Sequence, residues 1–410
     1  MKKEIHISYQ HKSTDLGKIQ IPGSKSESNR ALLINALCNT PGEIKNLSSA
    51  RDTQLMQALL NSKEDKINVM DAGTVMRFLT TYFALTRQTK LMTGTARMQE
   101  RPIKLLVDAL RTLGVNIDYK NEDGYPPHQI IGFNKQKSNA VSIDGSISSQ
   151  YLSALLMLAP TLEQGLTLKV ENGATSKPYL LMTIELMKHF GVNVEIETDQ
   201  YSIVKSTYTF KEFTVEPDWS SASYWYSIFV LSRAERLELL GYRDNSLQGD
   251  SALVKLMEPF GVKTTFNKNG ALLTKQKEQL PTSINFINNP DLAQTFAVIC
   301  AAKEHKCIFT GLHTLKIKET DRIMAIKNEL QKFGADFIED GEQWTVIPPT
   351  GNWKENTVSI NTYHDHRMAM AFAPLACVMP SIIIEAPEVV NKSYPSYWSD
   401  LALTGFNIDN

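Results

Sequence analysis

Basic residues gather where helices are expected to begin, the end that the helix dipole makes least favourable for them. Six short stretches precede mostly apolar runs: Ser24-Lys25-Ser26, Ala72-Gly73-Thr74, Ser148-Ser149-Gln150, Ser220-Ser221-Ala222-Ser223, Pro290-Asp291 and His364-Asp365-His366-Arg367. Lys25 and Arg30 flank the first, Arg77 follows the second, and Arg367 sits in the sixth. A second set of starts carries Arg97 and Arg101, Lys177, Arg243, Lys318 and Arg322, and Lys392. A helix start presents free N–H groups and partial positive charge, so it attracts anions and disfavours cations. Hydroxyl residues at such starts also serve as ordinary caps, and basic residues as solvated surface. Repetition over six starts points instead to a ligand that is small, rich in phosphate and carboxylate, and bound between two domains. Two acids stand out against this background. Asp291 opens an inner helix without a basic neighbour in sequence, and Glu319 lies within Lys318-Glu319-Thr320-Asp321-Arg322. A carboxylate among cations stays ionised and can act as a base or pass a proton, although spacing alone equally fits a cap and a helix-start acid. No Gly-x-Ser-x-Gly, P-loop or His-Glu-x-x-His pattern occurs. The scattered His6, His11, His128, His189, His305 and His313 read as surface or core residues.

The elements that would position these groups repeat along the chain. Amphipathic segments at 105–115, 184–192, 254–262 and 325–335 close on Gly114, Gly191, Gly261 and Gly334, which fall 77, 70 and 73 residues apart. Glycine just past a periodic helix marks its end, because it enters the left-handed region cheaply. The last copy is expected to end at Phe406-Asn407 with Asn in the glycine's role, and a shorter first copy to begin at Asp52. Interleaved with these are helices apolar over most of their length, predicted to be buried all round. Strand-like runs such as Leu166-Thr167-Leu168-Lys169-Val170 and Ser381-Ile382-Ile383-Ile384-Glu385 follow them. Six copies of a two-helix, several-strand unit predict an α/β protein of two three-copy domains. One is expected over 22–216 and the other over 1–21 plus 217–410, joined at the proline-bearing junctions Ile21-Pro22-Gly23 and Val215-Glu216-Pro217.

Length and composition agree with that count and narrow the class. At 410 residues the chain exceeds one ordinary domain of roughly 150. Lys plus Arg number 43 against 44 Asp plus Glu, a net charge of −1, which lacks the basic excess of a nucleic-acid or anionic-membrane binder. No run approaches the ~18 apolar residues of a membrane span. The opening Met1-Lys2-Lys3-Glu4-Ile5-His6 lacks an apolar core, so no signal peptide is expected. Cys38, Cys300, Cys307 and Cys377 form neither a zinc pattern nor a disulfide framework, which suits a reduced cytoplasmic compartment.

Several of these stretches together resemble the EPSP synthase (3-phosphoshikimate 1-carboxyvinyltransferase) family. Ile21-Pro22-Gly23-Ser24-Lys25-Ser26-Glu27-Ser28-Asn29-Arg30 is similar to the family's N-terminal signature. Thr93 to Pro102, Gly145 to Gln150, Ser176-Lys177-Pro178-Tyr179, Lys318 to Arg322 and Asp365-His366-Arg367-Met368-Ala369-Met370 follow in the family's order, from about residue 18 to 400. The resemblance implies a two-domain inside-out α/β barrel of six repeats. It also implies transfer of the enolpyruvyl group of phosphoenolpyruvate to the 5-hydroxyl of shikimate 3-phosphate, with release of phosphate through a tetrahedral ketal. No metal or organic cofactor is implied, and a monomer is the family expectation; separately, a bacterial cytoplasmic enzyme is expected. By position in the motifs, Lys25, Ser26, Arg30, Ser148, Ser149, Gln150, Ser176, Asp291 and Lys318 would contact shikimate 3-phosphate. Lys25, Gly73, Arg97, Gln150, Arg322, Arg367 and Lys392 would contact phosphoenolpyruvate. Asp291 would be the base toward the 5-hydroxyl, with Glu319 and Lys25 moving the proton to and from the methyl carbon.

The chain also departs from the family pattern. Asp71 stands where Asn is usual, Thr314 where some members have Asn, and Phe78 where many have Pro; Glu27 inside the first motif has no account. Asp71 is expected to weaken phosphoenolpyruvate binding electrostatically, while Gly73 leaves a compact pocket open to glyphosate. The sister UDP-N-acetylglucosamine enolpyruvyl transferase typically carries a reactive Cys near the third motif. Here no Cys lies between Cys38 and Cys300. A non-catalytic six-repeat ring of the DNA-clamp kind would need basic faces spread around it rather than clustered at helix starts.

Overall fold

The computed structural model describes residues 3–10, 13–173 and 175–409, so His11 lies outside the described residues. Among them, strands pair into five four-stranded mixed sheets and one two-stranded sheet. The sheet around Lys90–Thr93 shows the layout. Lys66–Asn68 runs parallel to Lys90–Thr93, His128–Phe133 antiparallel to Lys90–Thr93, and Val115–Tyr119 antiparallel to His128–Phe133. A parallel pair demands a crossover, which helix Gly73–Leu85 supplies, and helix Lys104–Leu113 then leads into the antiparallel hairpin. The same order recurs around Leu166–Glu171, Arg236–Leu240, Cys307–Thr310 and Ser381–Glu385. In the last of these, Glu4–Tyr9 pairs with Phe406–Asp409, so an N-terminal strand completes the C-terminal sheet. The sixth sheet keeps only the parallel pair Ile44–Lys45 and Phe213–Thr214.

Two compact units result. The N-terminal unit comprises Lys25–Ser48 and Asp52–Val215; the C-terminal unit comprises the described residues up to Ser24, Ser49–Arg51 and those from Glu216 onward. In the C-terminal unit all thirteen residues of helix Trp219–Leu231 and all ten of Ala293–Ala302 are buried. In the N-terminal unit Gly73–Leu85 is buried except at Thr74 and Tyr82. Their partners are one-sided: Lys104–Leu113 buries Leu106, Val107, Ala109, Leu110 and Leu113 along a single stripe. Full burial of a Leu or Phe side chain is worth about 1.5–3 kcal/mol, so the all-buried helices carry the cores. Between them Ser223 and Thr295 pair their hydroxyls at 3.0 Å, whereas the buried Ser227 Oγ has no hydrogen-bond partner among the described residues.

Gly114, Gly191, Gly261 and Gly334 follow their helices with φ of 108°, 92°, 84° and 86°, the left-handed closure expected of them. The reading at 406–407 is corrected. After helix Tyr397–Ala402 the left-handed residue is Gly405, φ 89°, while Asn407 lies inside strand Phe406–Asp409 opposite Ser8. A glycine was available at the required place, so no asparagine substitutes for it.

Candidate active site

In the C-terminal unit, Asp291, Lys318, Glu319, Arg322, Arg367 and Lys392 meet in one ion-pair network. Asp291 stands in the turn Pro290–Leu292 at the head of helix Ala293–Ala302. Its Oδ1 accepts from Arg322 Nη1 and its Oδ2 from Arg367 Nη2, both at 2.8 Å, with Lys318 Nζ 3.7 Å from Oδ1. Glu319 Oε2 accepts from Arg322 Nη2 at 3.0 Å, and Lys392 Nζ lies 3.4 Å from Oε1. Arg322 is therefore shared: its third edge, Nε, donates to Asp365 Oδ2 at 2.7 Å. Burial opposes ionisation of Asp291, but Arg367, then Lys318 and Arg322, overcome it and hold the carboxyl well below the usual carboxylate range. Burial likewise opposes the charge on Arg322, and Asp365, Glu319 and Asp291 more than compensate.

The local backbone decides which acids are free to enter this network. Asp321 takes the capping task at helix Arg322–Gln331, accepting from the N–H groups of Ile323 and Met324 at 3.1 and 3.2 Å. Glu319 is thereby left to pair with Arg322 and Lys392. Asp291 makes no cap bond either: the three-residue turn at 290–292 has Asn289 at its N-cap, and the Asp291 carboxylate is turned to the arginines.

In the N-terminal unit the predicted residues are held differently. Arg30 is buried and donates to Thr183 Oγ1 at 2.7 Å, Ser26 O at 2.9 Å and Ser153 Oγ at 3.2 Å, with its guanidinium near the Phe78 and Tyr179 rings. Burial pulls its pKa down to about 10, which the charges of Tyr179 and Glu27 only partly offset. Lys25 Nζ donates to Asp52 Oδ2 at 3.2 Å. Ser148 caps helix Ser149–Leu158 through Gln150 N at 3.3 Å, and Gln150 Nε2 reaches across to Thr74 Oγ1 at 3.2 Å, joining the second and third helix starts. Ser149 and Ser176 are buried, and Ser176 opens helix Lys177–His189 with φ 53°, a left-handed conformation uncommon outside glycine. Gly73 begins helix Gly73–Leu85, and its carbonyl accepts from Arg77 Nη1 at 3.2 Å. Arg97 is half-exposed and pairs with Glu100 at 2.9 Å.

Some features escape sequence reasoning. Asp365 both caps helix His366–Phe372, accepting from Arg367 N at 2.9 Å, and orients Arg322; its place in Asp365-His366-Arg367 was the only signal. The fourth helix start is filled by acids rather than cations. Asp218 caps Ser221 N at 2.8 Å, and the Ser220 hydroxyl donates to Asp250 Oδ2 at 2.5 Å. Burial and then the neighbouring Asp291 push the Asp250 carboxyl up to about 6. His128 is a core residue, 3.0 Å from Thr80 Oγ1, and its pKa is lowered to about 3 by burial and then by Arg77. Among the described residues, no group of three or more His, Cys, Asp or Glu could hold a metal ion, and no helix is long and apolar enough to cross a membrane.

The family model for EPSP synthase (3-phosphoshikimate 1-carboxyvinyltransferase) matches residues 11–63 and 57–401. A 3-phosphoshikimate 1-carboxyvinyltransferase of Bacteroides fragilis (strain YCH46) is 45% identical over 396 residues, covering 95% of each chain. One from Buchnera aphidicola subsp. Cinara cedri is 36% identical over 414 residues, covering 94% of each. The fold is also that of EPSP synthase from Acinetobacter baumannii, with a TM-score of 0.79 at 20% identity over 100% of both chains. The enolpyruvyl transferase NikO from Streptomyces tendae gives a TM-score of 0.76 at 13% identity, covering 100% of this chain and 99% of that one. The chain belongs to the EPSP synthase (3-phosphoshikimate 1-carboxyvinyltransferase) family.

Proposed function

We infer that the protein is a 3-phosphoshikimate 1-carboxyvinyltransferase, moving the enolpyruvyl group of phosphoenolpyruvate to the 5-hydroxyl of shikimate 3-phosphate and releasing phosphate. The observation that carries this reading is the carboxylate of Asp291, kept ionised among Arg322, Arg367 and Lys318 beside a second carboxylate, Glu319. Phosphoenolpyruvate is a poorly reactive enol phosphate ester. Its methylene carbon must gain a proton as the 5-hydroxyl oxygen bonds to the adjacent carbon, giving a ketal that then expels phosphate while a methyl proton leaves. Asp291 takes the hydroxyl proton; Glu319 and Lys25 are the groups that deliver and recover the methyl proton. While the arginines hold Asp291, it is a weak base. Substrate carboxylate and phosphate compete for Arg322, Arg367 and Lys392; drawing off either arginine raises the proton affinity of Asp291, and drawing off Lys392 raises that of Glu319. Arg97, Gly73 and Gln150 complete the phosphoenolpyruvate set, while Ser26, Arg30, Ser148, Ser149, Ser176 and Lys318 hold shikimate 3-phosphate. The recurring strand order supports six copies of one unit in a two-domain inside-out α/β barrel, and we place the enzyme in the cytoplasm as a monomer inhibited by glyphosate. Phosphate release from phosphoenolpyruvate, with shikimate 3-phosphate and UDP-N-acetylglucosamine as parallel acceptors, tests the reading: release is expected with the first alone, and release with the second alone overturns it.

A further inference from the structure

Arg101 is the one cation of the Thr93 to Pro102 motif without a substrate role in the proposed function, and its placement is unusual. Only 8% of the residue is exposed, and its buried Nε has no hydrogen-bond partner among the described residues. The guanidinium lies against Gly73, the first residue of the thirteen-residue helix Gly73–Leu85. A Cβ built on Gly73 would fall 2.6 Å from Nη2, 2.7 Å from Nη1 and 2.8 Å from Cζ. The two terminal nitrogens are the nearest atoms, so the Nη1/Nη2 end of the guanidinium occupies the space where a side chain at 73 would begin. Any side chain at 73 would therefore displace it.

The surrounding backbone fixes this seat from both sides. Arg77 donates to Gly73 O at 3.2 Å and to Pro102 O at 2.9 Å, tying the helix start to the loop that carries Arg101. Tyr151 OH donates to the same Pro102 carbonyl, and Arg101 N donates to Met98 O at 3.1 Å. The helix N-terminus and a buried, incompletely bonded guanidinium thus present positive charge to the same place. A guanidinium retained there without full hydrogen bonding is costly unless an anion completes it.

We propose that Arg101 is a specificity-determining residue for the anionic donor substrate, and that residue 73 is glycine chiefly to seat it. This rests on the enolpyruvyl-transfer reading above, in which that donor is phosphoenolpyruvate. Substitution of Gly73 by Ala then acts indirectly. The added methyl meets the far end of a flexible side chain, so the fold survives while Arg101 is pushed off its seat.

A double-mutant cycle on the full chain separates this coupling from direct obstruction of the substrate by the methyl group. Gly73→Ala, Arg101→Gln and the double variant are compared with wild type by phosphate release, with melting temperature as the folding control; Arg101→Lys replaces any variant that fails to fold. Each single change is expected to raise the KM for phosphoenolpyruvate about tenfold or more, the worth of a charge-assisted hydrogen bond. The KM for shikimate 3-phosphate should move by less than about twofold, within the range of a site left unperturbed. The double variant should be no worse than the poorer single one. Multiplying effects, or an Arg101 variant with an unchanged KM for phosphoenolpyruvate, overturn the proposal while the enzyme's activity stands. A wild-type protein that releases no phosphate with both substrates present overturns the underlying reading and the proposal together.

Discussion

The two units hold their buried cations by opposite means. In the C-terminal unit every cation of the network meets a carboxylate: Arg322 touches Asp291, Glu319 and Asp365, Arg367 and Lys318 face Asp291, and Lys392 faces Glu319. In the N-terminal unit Arg30 rests on two hydroxyls and a carbonyl, Arg77 donates to the carbonyls of Gly73 and Pro102, and Arg101 lies over a glycine. The electrostatic consequences differ in sign: burial wins at Arg30 and lowers its proton affinity, whereas acidic partners win at Arg322 and raise it. A network already compensated by its own acids can change the proton affinity of those acids when an anion enters. Cations seated on neutral groups can only bind. Under the proposed function, the difference suits the C-terminal unit to proton chemistry as well as anion binding and the N-terminal unit to anion binding alone, with Lys25, paired to Asp52, as the exception in the latter.

Breaking the compensated network should give the largest effect. Arg322→Met leaves Asp291, Glu319 and Asp365 without their shared partner, and breaking a buried ion pair costs about 3–5 kcal/mol. We expect a correspondingly lower denaturant midpoint together with lost turnover; unchanged stability would show that the three acids do not depend on Arg322. Arg30→Met makes the contrasting test, because it preserves volume and strands no carboxylate among the groups to which Arg30 donates. Stability should stay within about 1 kcal/mol, whereas the KM for shikimate 3-phosphate should rise roughly 10–100-fold, as for a lost bond between charged groups.

His128 offers a gentler test in the N-terminal unit, where burial and then the charge of Arg77 disfavour its protonation. Its folded pKa lies below the unfolded 6.5, so the unfolded chain takes up the proton first and stability is lost as pH falls from 6.5 toward about 3. By pH 5 the loss should be about 2 kcal/mol. Unfolding curves at pH 7 and pH 5 for wild type and His128→Gln would show this, and an equal pH dependence in the two proteins would refute it. The smallest effect is expected at Asp71, a carboxylate just ahead of the Gly73 helix start. Asp71→Asn should lower the KM for phosphoenolpyruvate by about two- to threefold, as for a partly screened charge; an unchanged KM would sink that expectation.

Much of this contrast was legible in the sequence. The spacing of Gly114, Gly191, Gly261 and Gly334 exposes the repeat, because a left-handed helix end is a local requirement met almost uniquely by glycine. Asp291 and Glu319 stood out as acids in basic surroundings. The division of labour among neighbouring acids was not legible: Asp321 caps and Glu319 pairs because of the backbone path at 318–322, which composition does not encode. Asp365 was hidden because one side chain performs both tasks. The seat of Arg101 on Gly73 joins residues 28 positions apart through a loop, and no pattern within either motif announces it. The fourth helix start misled for a related reason, since Asp250, thirty residues from Ser220, fills it from another loop.

The central claim is that Asp291, set among its cations, is the base of the transfer. The most direct measurement is the rate of phosphate release by Asp291→Asn at saturating phosphoenolpyruvate and shikimate 3-phosphate. General-base catalysis predicts a fall in kcat of roughly 10²–10⁴-fold, with the KM for each substrate changing far less. A variant that folds and turns over within about threefold of wild type, a difference of less than 1 kcal/mol in the barrier, would contradict that assignment.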